Sequence, residues 1–311
     1  MIKKTLCFSN PAYLSLKDAQ LCIRLPEVEK ADLPTDFKKN AAKTIPVEDI
    51  GVVVIDNKQV TITSGLMAAL LDNNCAVVTC DNKSMPTGLL LPLCGNTLQS
   101  ERFRDQLDAS LPLKKQLWQQ TVQRKIHNQA EAMKRCSKAE TRCFAKWEKD
   151  VKSGDSDNME AYAAAYYWKN FLPDGQKFVR DREGEWPNSM LNYGYAILRA
   201  VIARALVGSG MLPTLGIHHH NRYNAYCLAD DIMEPYRPFV DKLVYELIHK
   251  YPDKTELDKT LKAELLAIPV LDVMISGKRS PLMIAATQTT ASLYKCFAGE
   301  LRKIVYPEFC G

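Results

Sequence analysis

The sequence predicts a two-domain α+β protein: a small, β-sandwich-like, β-rich domain with one helix over residues 1–96, then a larger all-α domain over 97–311. Three observations carry this. Short β-branched runs crowd the first part of the chain, whereas helical periodicity dominates after Cys94-Gly95-Asn96. A length of 311 residues also exceeds what a single hydrophobic core usually organises.

In the N-terminal part, 45–47, 51–55 and 60–62 read as strands, and Asp56-Asn57-Lys58 between the last two reads as a hairpin turn. Ser64 is placed to cap a short helix through Leu71, because Leu66, Leu70 and Leu71 recur at helical spacing before Asp72-Asn73-Asn74 stops it. Residues 75–80 return to strand, and Met85-Pro86-Thr87-Gly88 turns into another apolar run.

The helical part begins with a basic stretch over 113–152, holding Lys114, Lys115, Arg124, Lys125, Lys134, Arg135, Lys138, Arg142, Lys146 and Lys149. It reads either as a solvated face or as a face that contacts phosphates. Trp118 and Trp147 within it are expected to be core anchors rather than base-stacking platforms. Residues 188–207 form the clearest helix, with Leu191, Tyr195, Leu198 and Ile202 on one stripe and Gly208 and Gly210 as stop signals. Residues 280–306 are expected to be helical, beside a second basic cluster of Lys278, Arg279, Lys295, Arg302 and Lys303.

Apolar residues make up 46% and charged residues 25%, which excludes a disordered chain. The net charge of +5 is mild, so a nucleic-acid surface requires local clustering. Neither a signal-peptide pattern nor a run of about 20 apolar residues is read, so a cytoplasmic protein without membrane contact is expected. The 10 cysteines include no Cys-x-x-Cys pair, which argues against zinc knuckles and thioredoxin chemistry and for reduced thiols.

Three segments could do chemistry. His218, His219 and His220 are consecutive, and an extended run cannot aim all three rings at one point, so it is either a polar turn or a source of one or two ligands. Asp230, Asp231 and Glu234 could share a helix face around a cation, or serve as first-turn acids that cap free amides. Asp157 and Glu160 match a capping box, although the following Ala161, Ala163, Ala164 and Ala165 let another backbone approach closely.

The segments Asn188-Ser189-Met190-Leu191-Asn192-Tyr193-Gly194-Tyr195-Ala196-Ile197-Leu198-Arg199, Gly216-Ile217-His218-His219-His220-Asn221 and Asp231-Ile232-Met233-Glu234-Pro235-Tyr236-Arg237-Pro238 together resemble the CRISPR-associated protein-one integrase family. Leu117-Trp118, Lys125-Ile126-His127-Asn128-Gln129 and Gly277-Lys278-Arg279-Ser280-Pro281-Leu282 are similar to the branch that accompanies single-protein, RNA-guided effectors. The resemblance implies that Glu160, His219 and Glu234 hold Mg²⁺ or Mn²⁺, with Asp231 as a helper; His218 and His220 stay open as alternative ligands. Two carboxylates and an imidazole suit such ions. It further implies a DNA integrase and endonuclease acting on double-stranded DNA, a homodimer formed through the β-rich domain, and assembly with CRISPR-associated protein two. Under it, Arg124, Lys125, Lys134, Arg135, Asn192, Arg237, Lys278 and Arg279 are candidate DNA contacts. Two other readings are a non-catalytic DNA-binding scaffold and a small-molecule metallohydrolase, the latter without a His-Glu-x-x-His motif to support it.

Overall fold

The computed structural model describes residues 2–32, 34–137, 139–172, 178–181 and 184–311; Lys138 of the basic stretch lies outside them. The chain divides into two compact units, Met1–Gly95 and Asn96–Gly311.

The first unit holds two four-stranded sheets. One runs in the order Lys4–Phe8 (β1), Ile50–Ile55 (β5), Ala76–Cys80 (β7) and Pro86–Leu90 (β8), and the other runs Lys43–Pro46 (β4), Gln20–Arg24 (β3), Ala12–Lys17 (β2) and Val60–Ile62 (β6). Their core gathers Leu14, Leu21, Ile50, Val53 and Val77 with Leu66 and Leu70 of helix Ser64–Asp72 (α3). Two short helices, Pro26–Lys30 (α1) and Thr35–Asn40 (α2), accompany α3. Thr63, not Ser64, caps α3: its hydroxyl accepts from the Leu66 amide.

The expected hairpin is not formed. β5 is paired in parallel with β1 on one edge and with β7 on the other, so it has no edge left for β6. The turn instead carries the chain into the second sheet, where β6 pairs in parallel with β2. The amides of Asp56 and Asn57 donate to Phe8 O at 3.1 and 3.0 Å, which fixes the crossing point.

The second unit is built from Gln99–Asp108 (α4), Leu111–Cys136 (α5), Arg142–Asp150 (α6), Met159–Phe171 (α7), Asn188–Gly208 (α8), Cys227–Met233 (α9), Arg237–Lys250 (α10), Lys259–Leu265 (α11) and Leu282–Phe297 (α12). One hairpin, Asp272–Ile275 (β9) with Lys278–Pro281 (β10), interrupts the helices. α8 is central, packed by α9, α10 and α12. It is long and apolar enough to match a membrane span, yet 83% of its apolar window is buried inside the protein. A Cβ on Gly194 would lie 2.6 Å from Val240 Cγ1, so glycine is what lets α10 approach this closely.

The expected helix over 280–306 ends early. α12 stops at Phe297, where Gly299 takes φ 78° and the amides of Gly299 and Glu300 close back on Cys296 and Lys295. The remaining chain lies along α5: Gln120 Oε1 accepts from the Ile304 amide at 2.9 Å, Tyr306 and Thr121 share a hydroxyl hydrogen bond of 2.7 Å, and Asn128 donates to Pro307 O at 3.1 Å. All ten cysteines are free thiols, and Cys94 is the exposed one.

Candidate active site

The site is assembled where α5, α7, the 215–220 loop and the turn after α9 converge. α7 starts from a local device that the sequence disguises. Asp155 caps it, its two carboxylate oxygens accepting from the amides of Met159 and Glu160 at 2.8 and 3.0 Å. Asp157, the expected capping partner, pairs with Lys152 at 2.5 Å instead. Glu160 is thereby free of capping, and its carboxylate takes the Lys125 ammonium at 2.5 Å.

The same ammonium stands 2.6 Å from Glu234 Oε2. Glu160 and Glu234 therefore meet on one nitrogen, although 73 positions separate them in sequence. Glu234 opens the 3₁₀ turn Glu234–Tyr236 after α9, and its other oxygen faces Arg237 Nε at 2.7 Å. Burial alone would raise the Glu234 pKa, but Arg237 and Lys125 outweigh it and hold the carboxyl below its usual range. Burial likewise disfavours the charged Lys125, and Glu234 and Glu160 more than offset that, raising its pKa.

His219 is oriented from behind. Its Nδ1 lies 2.5 Å from Asp231 Oδ1, and the hydrogen bond outweighs burial and raises the ring's pKa. Asp231 is fully buried and accepts three further hydrogen bonds, from the amides of Ile217, His218 and His219 at 2.7, 3.0 and 3.2 Å. Its carboxylate is spent on the loop rather than offered to the site. Gly216 makes this wrapping possible, because a Cβ there would come within 2.8 Å of Asp231 Oδ2 and strike the His219 carbonyl. Nε2 of His219 is left for a ligand, and the ring is within electrostatic range of Glu234.

His218 stacks flat on Trp118, centroids 4.1 Å apart at 2°, with burial lowering its pKa. Trp118 is thus buried as expected of an anchor and is also the platform under a histidine. Trp147 packs against Phe144 and Tyr166. His220 is exposed. Asp230, on the same helix as Asp231, faces elsewhere: Arg199 grips it with bonds of 2.6 and 3.0 Å and Asn224 donates at 2.7 Å.

These residues suit a hard cation. Glu234 Oε2 is buried against the Lys125 ammonium, so positive charge already sits between the two carboxylates. Among the described residues, no three His, Cys, Asp or Glu side chains are gathered closely enough to chelate an ion as they stand. Lys125 holds the place between them.

The candidate DNA contacts separate into two groups. Lys125 and Arg237 have their charged ends inside the site, on Glu160 and Glu234. Arg124 pairs with Glu308, Lys134 and Arg135 with Glu131 at 2.6 Å, and Arg279 with Asp272 at 2.5 Å, all toward solvent. Lys278 is exposed on β10, and Asn192 accepts from Arg180 at 2.7 Å. Beside Glu234, a cavity lined by Lys125, Trp168, Arg180, Tyr195, Arg237 and Asp241 was not anticipated. Tyr167 donates to the buried Asp241 at 3.0 Å, Tyr195 donates to its other oxygen, and Arg237 lies over the Tyr195 ring.

A sequence profile described as "CRISPR associated protein Cas1" matches residues 6–267. The CRISPR-associated endonuclease Cas1 of Neisseria meningitidis serogroup C (strain 8013) is 37% identical over 283 residues, 90% of this chain and 86% of that protein. A CRISPR-associated endonuclease Cas1 of Pyrobaculum aerophilum is 28% identical, covering 75% of this chain and 83% of its own. A casposase bound to its integration product shares the fold with a TM-score of 0.74 over 98% of this chain and 92% of its own, at 20% identity. A CAS1 protein from Thermotoga maritima shares it with a TM-score of 0.71 over 99% of both chains, at 14% identity. With its β-rich region, its helical body and a family match over most of its length, the chain belongs to the Cas1 family of CRISPR-associated proteins.

Proposed function

We propose that this chain is a spacer integrase and endonuclease that joins a 3′-hydroxyl of captured double-stranded DNA to a phosphodiester of a CRISPR repeat array. One observation carries the reading: Glu160 of α7 and Glu234 after α9 meet on a single ammonium, with the His219 ring within electrostatic range of Glu234. In this reading Glu160, His219 and Glu234 hold Mg²⁺ or Mn²⁺. The ion, when bound, supplies stabilisation of charge on a nonbridging phosphate oxygen and eases ionisation of the attacking hydroxyl.

The protein's own contribution is to hold and aim. Asp231 keeps the His219 proton on Nδ1, so that Nε2 is the ligating atom. Arg237 keeps Glu234 ionised inside a buried environment. The 3′-oxygen bonds to phosphorus as the repeat's P–O3′ bond breaks, one phosphodiester replacing another without an external energy source. Run backwards, the step resolves branched DNA, and water in place of the hydroxyl gives strand cleavage.

The partner proposed is Cas2, supported by the fold shared with a Cas6-RT-Cas1–Cas2 complex at a TM-score of 0.71. Homodimerisation through the β-rich unit and a cytoplasmic location complete the reading, and Arg124, Lys125, Lys134, Arg135, Asn192, Arg237, Lys278 and Arg279 are proposed DNA contacts. The test mixes the protein with Cas2, Mg²⁺ or Mn²⁺, short duplexes and a repeat-bearing plasmid. Joining is expected for wild type; unchanged joining by Glu160→Ala and Glu234→Ala sinks the assignment.

A scaffold without catalysis is favoured by one fact, that each acid of the site already has a protein partner. Melting with Mn²⁺ separates the two. A working site gains stability with Mn²⁺ and loses the gain in His219→Ala, while a scaffold shows neither.

A further inference from the structure

Lys125 is an unusual occupant for the centre of a metal site. It projects from the buried face of α5, is only 8% exposed, and places its ammonium 2.5 Å from Glu160 and 2.6 Å from Glu234. Arg237 adds a second cation on Glu234 at 2.7 Å. The two carboxylates are thus balanced by two fixed positive charges before any ion arrives.

A divalent cation entering this set brings a surplus of two positive charges into a nearly buried space, where unbalanced charge is expensive. The ammonium stands between the same two carboxylates that the ion needs, so both cannot hold that position. Lysine differs from arginine in carrying its charge on a flexible four-carbon stem, so the ammonium can swing aside if another anion receives it. A DNA phosphodiester beside the ion is such an anion, and it also removes part of the surplus.

Resting on the metal-dependent reading above, we propose that Lys125 is a built-in competitor for the catalytic cation, handed from Glu160 and Glu234 to a DNA phosphate as the ion binds. Metal and DNA then bind cooperatively. Coupling is reciprocal, so the factor by which DNA tightens metal binding is the factor by which metal tightens DNA binding, with couplings of about 5- to 150-fold being common.

The experiment titrates Mn²⁺ into the DNA-free full chain by calorimetry and by thermal melting, for wild type, Lys125→Met and Lys125→Gln. Anisotropy of a labelled duplex with and without Mn²⁺ gives the coupling. The expected result is tighter Mn²⁺ binding in both variants, about tenfold or more, with the Mn²⁺ enhancement of DNA binding shrinking toward none. Lys125→Met leaves two carboxylates face to face and should melt below wild type without metal; a larger Mn²⁺ increment than wild type then supports the proposal even if the variant folds poorly. Variants that bind Mn²⁺ no tighter than wild type, or gain no more in melting temperature, overturn it.

Glu160→Gln and Glu234→Gln are the controls that separate the two levels. If they abolish wild-type Mn²⁺ binding while the Lys125 variants change nothing, the ion site stands and the competitor role falls. If they leave Mn²⁺ binding intact, the ion site itself is misassigned and the competitor role falls with it.

Discussion

Asp231 and His219 form a pair in which the acid, not the histidine, is the buried member: the carboxylate is fully enclosed and meets Nδ1 at 2.5 Å while binding three consecutive loop amides. An amide in its place offers one acceptor oxygen where two are in use. Asp231→Asn is therefore expected to lower both the melting temperature and the Mn²⁺ affinity, the latter by about 10- to 100-fold, as for other residues that orient a ligand. Calorimetric titration of the folded variant reads this out; unchanged affinity would mean that the ring needs no such support.

Gly216→Ala should act on the same loop from the opposite side. The added methyl lies 2.8 Å from Asp231 Oδ2 and against the His219 carbonyl, so the loop must shift away from the carboxylate. The variant is expected to keep its helical circular dichroism, melt lower, and lose the Mn²⁺ increment. A variant with a full increment shows that the loop tolerates the methyl without moving the ring.

Asp241 gives a pH dependence of definite sign. Burial pushes its carboxyl up to about 7, against the opposing pull of Tyr195, Tyr167, Arg237 and Arg180. In the unfolded chain the group titrates near about 3.9. Between these values the folded protein holds a proton that the unfolded chain has lost, so stability falls as pH rises through the window. His219, also raised, contributes stability at low pH that is likewise lost as pH climbs through its folded value. Asp241→Asn is expected to flatten the fall in melting temperature from about pH 4 to about pH 7, and a slope equal to wild type counts against a buried proton at this position.

Lys134 and Lys278 test the outer surface independently of the ion site. Both are exposed, and neither touches Glu160 or Glu234. If they contact phosphates, Lys134→Ala and Lys278→Ala should each weaken duplex binding about equally for any sequence and flatten the plot of log affinity against log salt by about 0.9. An unaltered slope removes that residue from the DNA surface.

The change from β-rich to helical character was legible because period-two and helical patterns differ strongly over long segments, and α8 announces itself through Leu191, Tyr195, Leu198 and Ile202. The partner of β6 was not legible. A three-residue strand carries too little pattern to say which edge it will find, and only the occupied edges of β5 decide the matter. Glu160 was ambiguous because Asp157 imitates a cap that Asp155 in fact provides.

Lys125 was legible as a cation but not as an inward-pointing one. It lies on the stripe of Trp118, Val122 and Gln129, all buried at helical spacing, and the surrounding lysines and arginines concealed that this member of the run points inward. A charge on an apolar stripe needs a partner, and the partners here, Glu160 and Glu234, come from two other segments of the chain.

The last stretch of the chain behaves as a clasp on the helix that carries the inward lysine. From Gln120 through Thr121, Arg124 and Asn128 to Arg135, five side chains of α5 fasten to residues between 302 and 310. Clipping or displacing that stretch would remove these five fastenings from α5. Damage far from Glu160 and Glu234 in sequence would then reach them through a single rod, the helix that carries Lys125.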